Sequence, residues 1–130
     1  MNTDEHRCDL DGLTDTIIGA AYRVANGLGC GFLEKPYENA LAHELRRLEI
    51  PFGQQQPIQI RYDGVIVGDY IADLVVDGRV LVELKAVKAL DPVFTAQCLN
   101  YLRATGLPVC LLINFGTPRI QIKRFVGGRP

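Results

Sequence analysis

The stretch Gly68–Lys88, GDYIADLVVDGRVLVELKAVK, decides how the rest of the chain folds. Aliphatic residues crowd both of its arms, and Asp77-Gly78 between them is a strong hairpin signal, so it reads as two antiparallel β-strands. The second arm, Val80 to Val87, is almost continuously apolar, as expected of a strand covered on both faces. Glu83 and Lys85 interrupt it two residues apart, and therefore on one face. Charged side chains are rarely buried unless they are paired or hold a metal. Asp73 on the first arm is a third polar intrusion.

The length of the turn decides whether these three residues meet. A two-residue turn at Asp77-Gly78 pairs Val76 with Arg79, sets Asp73 opposite Val82 and leaves Glu83 on the other face. A loop with an odd number of residues, such as a type I turn with Gly78 left-handed and a G1 bulge, sets Asp73 opposite Glu83 instead. Asp73, Glu83 and Lys85 then share a face. So placed, the carboxylates offer hard oxygen ligands for Mg²⁺, with the lysine ammonium beside the metal-bound water. The competing reading is a Glu83–Lys85 ion pair on a half-solvated strand.

Composition bounds the rest. With 130 residues and 48% apolar content, the chain is large enough for one domain with a genuine core. No stretch approaches the ~20 apolar residues of a membrane span, and the polar start MNTDEHRCD does not read as a signal peptide, so a cytoplasmic protein is expected. Cys8, Cys30, Cys98 and Cys110 are scattered, which argues against structural zinc and against a disulfide framework. His6 and His43 are expected on the surface. The net charge of −1 hides an asymmetry: residues 1–78 carry 6 Lys/Arg against 13 Asp/Glu, and residues 79–130 carry 8 against 2. A basic second half beside carboxylate-bearing strands suits a phosphate-rich ligand held near a metal. Ordinary solvated faces would give the same counts.

Taken in order, residues 1 to about 10 are expected to be frayed. Thr14 or Asp15 caps a helix to about Asn26, with Ile17, Ala21, Val24 and Leu28 on one face. A second helix covers about Lys35 to Leu48, with Pro36 in its first turn and Pro51 closing it. Strands follow over about Pro57–Tyr62 and on the two central arms. Asp91-Pro92 starts a third helix that runs to about Thr105 and ends at Gly106. Strands over about Val109–Phe115 and Ile120–Val126 complete the order α-α-β-β-β-α-β-β. Helices on both sides of a mixed sheet are the natural packing.

Asp73, Glu83-Leu84-Lys85 on the next strand and Gln97-Cys98-Leu99-Asn100-Tyr101 on the following helix resemble the PD-(D/E)xK nuclease superfamily, in its RecB-like Gln-x-x-x-Tyr form. Gly31, Glu34 and Tyr37, with Leu111–Gly116 and Ile122-Lys123-Arg124, resemble the small bacterial GxxExxY proteins of that superfamily. The resemblance covers roughly residues 14 to 125 and implies a restriction-endonuclease-like α/β/α sandwich. It implies Mg²⁺- or Mn²⁺-dependent cleavage of DNA or RNA, with Asp73 and Glu83 as metal ligands and Lys85 orienting the attacking water. A carboxylate from the second helix often joins such sites; Glu38 is the choice and Glu34, one turn earlier, the alternative. Gln97 and Tyr101 would line the site or contact nucleic acid, with Tyr37, Lys123 and Arg124 as further candidates. Each has a plainer reading: Tyr37 and Tyr101 as core aromatics, and Lys123 and Arg124 as the solvated face of an edge strand. Ala72 stands where the superfamily's name has proline. A non-cleaving nucleic-acid or nucleotide binder and a structural oligomeric subunit are the alternatives to a nuclease. A homodimer is expected, through the N-terminal helix or an edge strand, because so small a domain has little surface to grip a duplex.

Overall fold

Eight elements appear in the expected order in a computed structural model, which describes residues 3–127, with side chains from residue 9. They are α1 (Thr3–Leu28), α2 (Glu34–Arg47), β1 (Phe52–Tyr62), β2 (Val65–Val76), β3 (Val80–Lys85), α3 (Pro92–Thr105), β4 (Val109–Asn114) and β5 (Gln121–Val126). The sheet keeps sequence order, β1-β2-β3-β4-β5. Only β3 and β4 run parallel, and α3 is their crossover. The fold is α/β with a five-stranded mixed sheet, consistent with a restriction-endonuclease-like architecture.

β3 and β4 are apolar along almost their whole length because both of their faces are covered. On one face, Val80, Val82, Leu84, Leu111 and Ile113 pack with Ile17, Ala21 and Val24 of α1 and Tyr37, Leu41 and Leu45 of α2. On the other, Leu81, Cys110 and Leu112 pack against Cys98 and Leu102 of α3. Burying each leucine or isoleucine is worth about 1.5–3 kcal/mol, so these two layers carry most of the drive to fold.

The turn between β2 and β3 is odd, as a shared site requires. Val76 pairs with Val80 and Leu74 with Val82, leaving Asp77, Gly78 and Arg79 in the connection. Its conformation differs from a type I turn: Asp77 (φ 53°) as well as Gly78 (φ 64°) is left-handed, and Arg79 is the extra residue, its N–H donating to Val76 O at 3.0 Å. Two left-handed residues match the right-handed twist of a hairpin better than a type I turn does.

Some boundaries are corrected. α1 does not start at Thr14 or Asp15, and its backbone is helical from Thr3, not frayed to about residue 10; residues 1 and 2 lie outside the described ones. Leu10 and Leu13 extend the buried stripe upstream, which keeps the helix docked. Thr14 is buried inside it, its Oγ1 donating to Asp11 O at 3.0 Å. β1 begins at Phe52 rather than Pro57, and Pro57 is tolerated because β1 is an edge strand.

β2 turns over part-way along. Residues two apart on a strand share a face, yet Ala72 packs in the α3 layer and Leu74 in the α1/α2 layer. Between them stands Asp73. Opposite it, between the pairs Gln54–Leu74 and Gln56–Ala72, Gln55 takes φ 53°, a left-handed conformation uncommon for a residue with a side chain.

Candidate active site

β2 and β3 form a ladder only over Leu74–Val76 and Val80–Val82. Beyond it the strands part, and the Asp73 carboxylate enters the gap, its Oδ2 accepting the Leu84 N–H at 2.8 Å. The same register carried one step on sets Asp73 opposite Glu83. Glu83 is 7% exposed, and Lys85 lies two residues further along the same face. Burial pushes the Glu83 carboxyl up to about 7, Tyr70 and Lys85 pull against that rise, and the charge of Asp73 adds to it. The Asp73 pKa is also raised, first by burial and then by the charge of Glu38, against the Leu84 N–H, Lys85 and Gln55. Asp73 and Glu83 both feel Lys85, and the charge of Asp73 reaches Glu83.

Lys85 is not paired. Among the described residues, no ion pair joins it to Asp73 or Glu83; its Nζ sits 4.3 Å from the centroid of the Phe94 ring on α3. That cation–π contact is worth about 0.5–2 kcal/mol, depending on how far the ammonium is desolvated. Glu38 of α2 is buried and fully engaged. Its oxygens accept from Lys35 Nζ at 3.0 Å, Gln54 Nε2 at 2.5 Å and Gln55 Nε2 at 2.7 Å. The Tyr70 hydroxyl donates to Glu83 Oε1, and the Tyr70 ring stacks on Tyr101, with centroids 3.6 Å apart and planes at 16°. Burial and the Glu83 charge raise the pKa of the Tyr70 phenol.

A family model for the PD-(D/E)XK nuclease superfamily matches residues 11–125. The chain belongs to this superfamily. No curated protein and no solved structure matches it. Nucleases of the superfamily generally use divalent metal ions, and the residues in the gap fit one. Asp73 and Glu83 offer hard oxygen ligands on neighbouring strands, and among the described residues neither is ion-paired with a lysine or arginine. Among the described residues, no three His, Cys, Asp or Glu side chains form a ready-made cage. Mg²⁺ is commonly held by one or two carboxylates with water and substrate phosphate, so a pair suffices.

The other expected site residues are dispersed. Tyr37 takes the place of a core aromatic: it is fully buried and stacked on Phe115 with centroids 4.6 Å apart. Its hydroxyl donates to Gly29 O at 2.6 Å and accepts from Phe32 N–H at 3.3 Å, pinning the α1–α2 connection; each such bond is worth about 1 kcal/mol. Gly31 in that connection has φ 120°, which side-chain-bearing residues rarely adopt. Glu34 is exposed in the first turn of α2, so Glu38 is the buried acid of the pair. Gln97 is half-buried on α3. Lys123 is exposed and lies in the cross-sheet row Glu83–Leu112–Lys123. Arg124 points the other way, to Asp11 of α1 at 2.6 Å.

Tyr70, Gln54 and Gln55 escaped the sequence reading, and Asn114 and Gly116 entered it only as part of the Leu111–Gly116 pattern, with no role given to either. Asn114, fully buried, accepts from Val87 N–H at 3.0 Å and donates to Val87 O at 3.0 Å, clamping the segment that leaves Lys85. A Cβ on Gly116 would lie 2.3 Å from Val87 N and O, so only glycine fits there. The glycine and asparagine ending an apolar strand were the available signal; Tyr70 had none, since alternation puts it on the face of Leu74.

The raised Glu83 pKa has a testable consequence for the metal-free protein. The native state holds this proton up to about pH 7, whereas the unfolded chain releases it near 4.5. The stabilisation is therefore complete below about 4.5 and lost as pH rises through 7. Urea unfolding across that window should show about 3 kcal/mol of stability lost on this account, a loss that Glu83→Gln removes. An equal pH slope in the variant would show that Glu83 is not the group responsible.

Proposed function

We propose that the chain is a nuclease that hydrolyses phosphodiester bonds of DNA or RNA with the aid of Mg²⁺ or Mn²⁺. The observation that carries this reading is the meeting of Asp73, Glu83 and Lys85 where β2 and β3 part, with the lysine in no ion pair among the described residues. A structural ion pair would bring Lys85 onto Glu83. Instead the ammonium rests on an aromatic ring, a contact weak enough to exchange for an anionic ligand. Asp73 and Glu83 would hold the cation, with Glu38 behind them supporting Asp73 through Gln55. When bound, the cation would polarise the phosphate and lower the pKa of an attacking water. Lys85 would orient that water and offset the charge that builds on the phosphate. Lys123 and Gln97 would contact the nucleic-acid backbone, which fixes register without reading sequence.

We also propose that the enzyme is a homodimer. Tyr62, Val65, Ile66, Val67 and Ile71 expose apolar surface along the β1–β2 arm, where β3 no longer pairs. Clustered exposure of this kind marks interfaces. Light scattering should give twice the 14.4 kDa chain mass at micromolar concentration; a clean monomer would contradict it.

Incubation with labelled single- and double-stranded DNA and RNA in Mn²⁺ should yield cleavage of at least one substrate. Asp73→Asn and Lys85→Met should each slow it on the order of 10²–10³-fold. Wild-type protein that cuts nothing across the panel, or variants as fast as wild type, would overturn the reading.

A further inference from the structure

The Gln97–Tyr101 turn of α3 enters the site by an indirect route. One face of the Tyr101 ring is covered by Tyr70, and the Tyr70 hydroxyl is spent on Glu83 Oε1. Tyr70 belongs to β2 on the arm beyond the ladder with β3, where no neighbouring strand holds it from that side. Two stacked rings with few rotamers therefore link α3 to a buried carboxylate.

We propose that Tyr70 is a positioning residue for Glu83, and that Tyr101 acts on the site through Tyr70 rather than by touching nucleic acid. Glu83 has three side-chain torsions and is almost entirely buried, so the direction of its oxygens depends on what binds them. A phenol donating to a carboxylate is a charge-assisted bond, stronger and more directional than a neutral one. With Oε1 held by Tyr70, the carboxylate is fixed beside Asp73, whose backbone N–H also bonds to it. Partners of this kind, one step behind a ligating group, commonly change metal affinity 10–100-fold when removed. Tyr101 supplies the wall against which the Tyr70 ring is fixed. The ring supplies that wall; the Tyr101 phenol also lies near the site, where burial and the Glu83 charge raise its pKa.

The metal part of the proposal rests on the nuclease reading, but the positioning does not, and the test separates them. The side-chain ¹³C carboxyl resonance of Glu83, assigned by its loss in Glu83→Gln, is followed in the full-length, metal-free protein. Tyr70→Phe should shift that resonance, and Tyr101→Ala should shift it in the same direction although Tyr101 is a step removed. Tyr101→Phe should leave it in place. If the alanine variant does not fold by circular dichroism, Tyr101→Leu replaces it, since leucine fills space without a stacking face. In calorimetric titration with Mn²⁺, Tyr70→Phe and Tyr101→Ala should bind about 10–100-fold more weakly than wild type, with Tyr101→Phe unchanged. A Glu83 resonance and Mn²⁺ affinity unaltered by Tyr70→Phe would overturn the role of Tyr70. A response to Tyr70→Phe without one to Tyr101→Ala or Tyr101→Leu would overturn the relay. Wild type that binds no Mn²⁺ while the resonance moves as expected would defeat the nuclease reading and leave the positioning of Glu83 standing.

Discussion

One extra residue in the β2–β3 connection is the constraint on which the rest depends. Because Arg79 is spare, Val76 pairs with Val80 and every residue of β3 is offset by one from a tight two-residue hairpin. The offset puts Val80, Val82 and Leu84 into the α1/α2 core and leaves Glu83 and Lys85 on the α3 face. A slip by one would exchange the two sets, placing both charges among Tyr37, Leu41 and Leu111 and turning three aliphatic residues toward the site. The penalty for burying unpaired charge is several kcal/mol per group, so register and site are specified together. Salt bridges from Arg79 to Asp77 and Asp9 hold the connection at the surface, where each is worth at most about 1 kcal/mol.

The second constraint is local and electrostatic. Asp73 sits where β2 turns over; its charge raises the pKa of Glu83, and the charge of Glu38 raises its own. Neutral donors, rather than cations, satisfy much of this acidic group: Leu84 N–H for Asp73, Tyr70 for Glu83, and Gln54 and Gln55 for Glu38. Lys35 is the one ammonium bonded to any of them among the described residues. Hydrogen bonds to a carboxylate favour its charged form without cancelling the charge. The metal-free site is therefore short of positive charge. That is a poor way to build a stable scaffold and a reasonable way to build a cation site.

Much of this was legible in the residues. The two-sided burial of Val80–Leu84 and Val109–Asn114 follows from their unbroken apolar runs, and Asp91-Pro92 announced α3, whose cap bond runs from Val93 N–H to Asp91 Oδ1. The odd turn could be set as a condition for a shared site but not deduced, because Asp77-Gly78 serves two- and three-residue connections alike. The first turns of α1 were hidden because TDEHRCD has no apolar stripe; among the described side chains, Leu10 and Leu13 pack on the core and Asp9 and Asp11 pair with Arg79 and Arg124. Gln54-Gln55-Gln56 lies upstream of the strand start expected at about Pro57, since it has no β-branched residues, yet Gln54 and Gln55 hold Glu38. Tyr70 was unreadable for a physical reason: the period-two rule assumes an untwisted strand, and β2 turns over between it and Leu74. Tyr37 went the other way, a residue of the resembling motif whose work is to close the core.

The central claim is that Asp73 and Glu83 form a cation site and not half of a structural ion pair. Thermal melts of wild type, Asp73→Asn and Glu83→Gln with and without Mg²⁺ decide it most directly. Mg²⁺ should raise the melting temperature of wild type according to its occupancy, and both variants should largely lose that rise. Without metal the variants should be at least as stable as wild type, because each removes like-charge repulsion. Variants that are destabilised in the absence of metal, with the response to Mg²⁺ unchanged, would contradict the account and mark the carboxylates as structural.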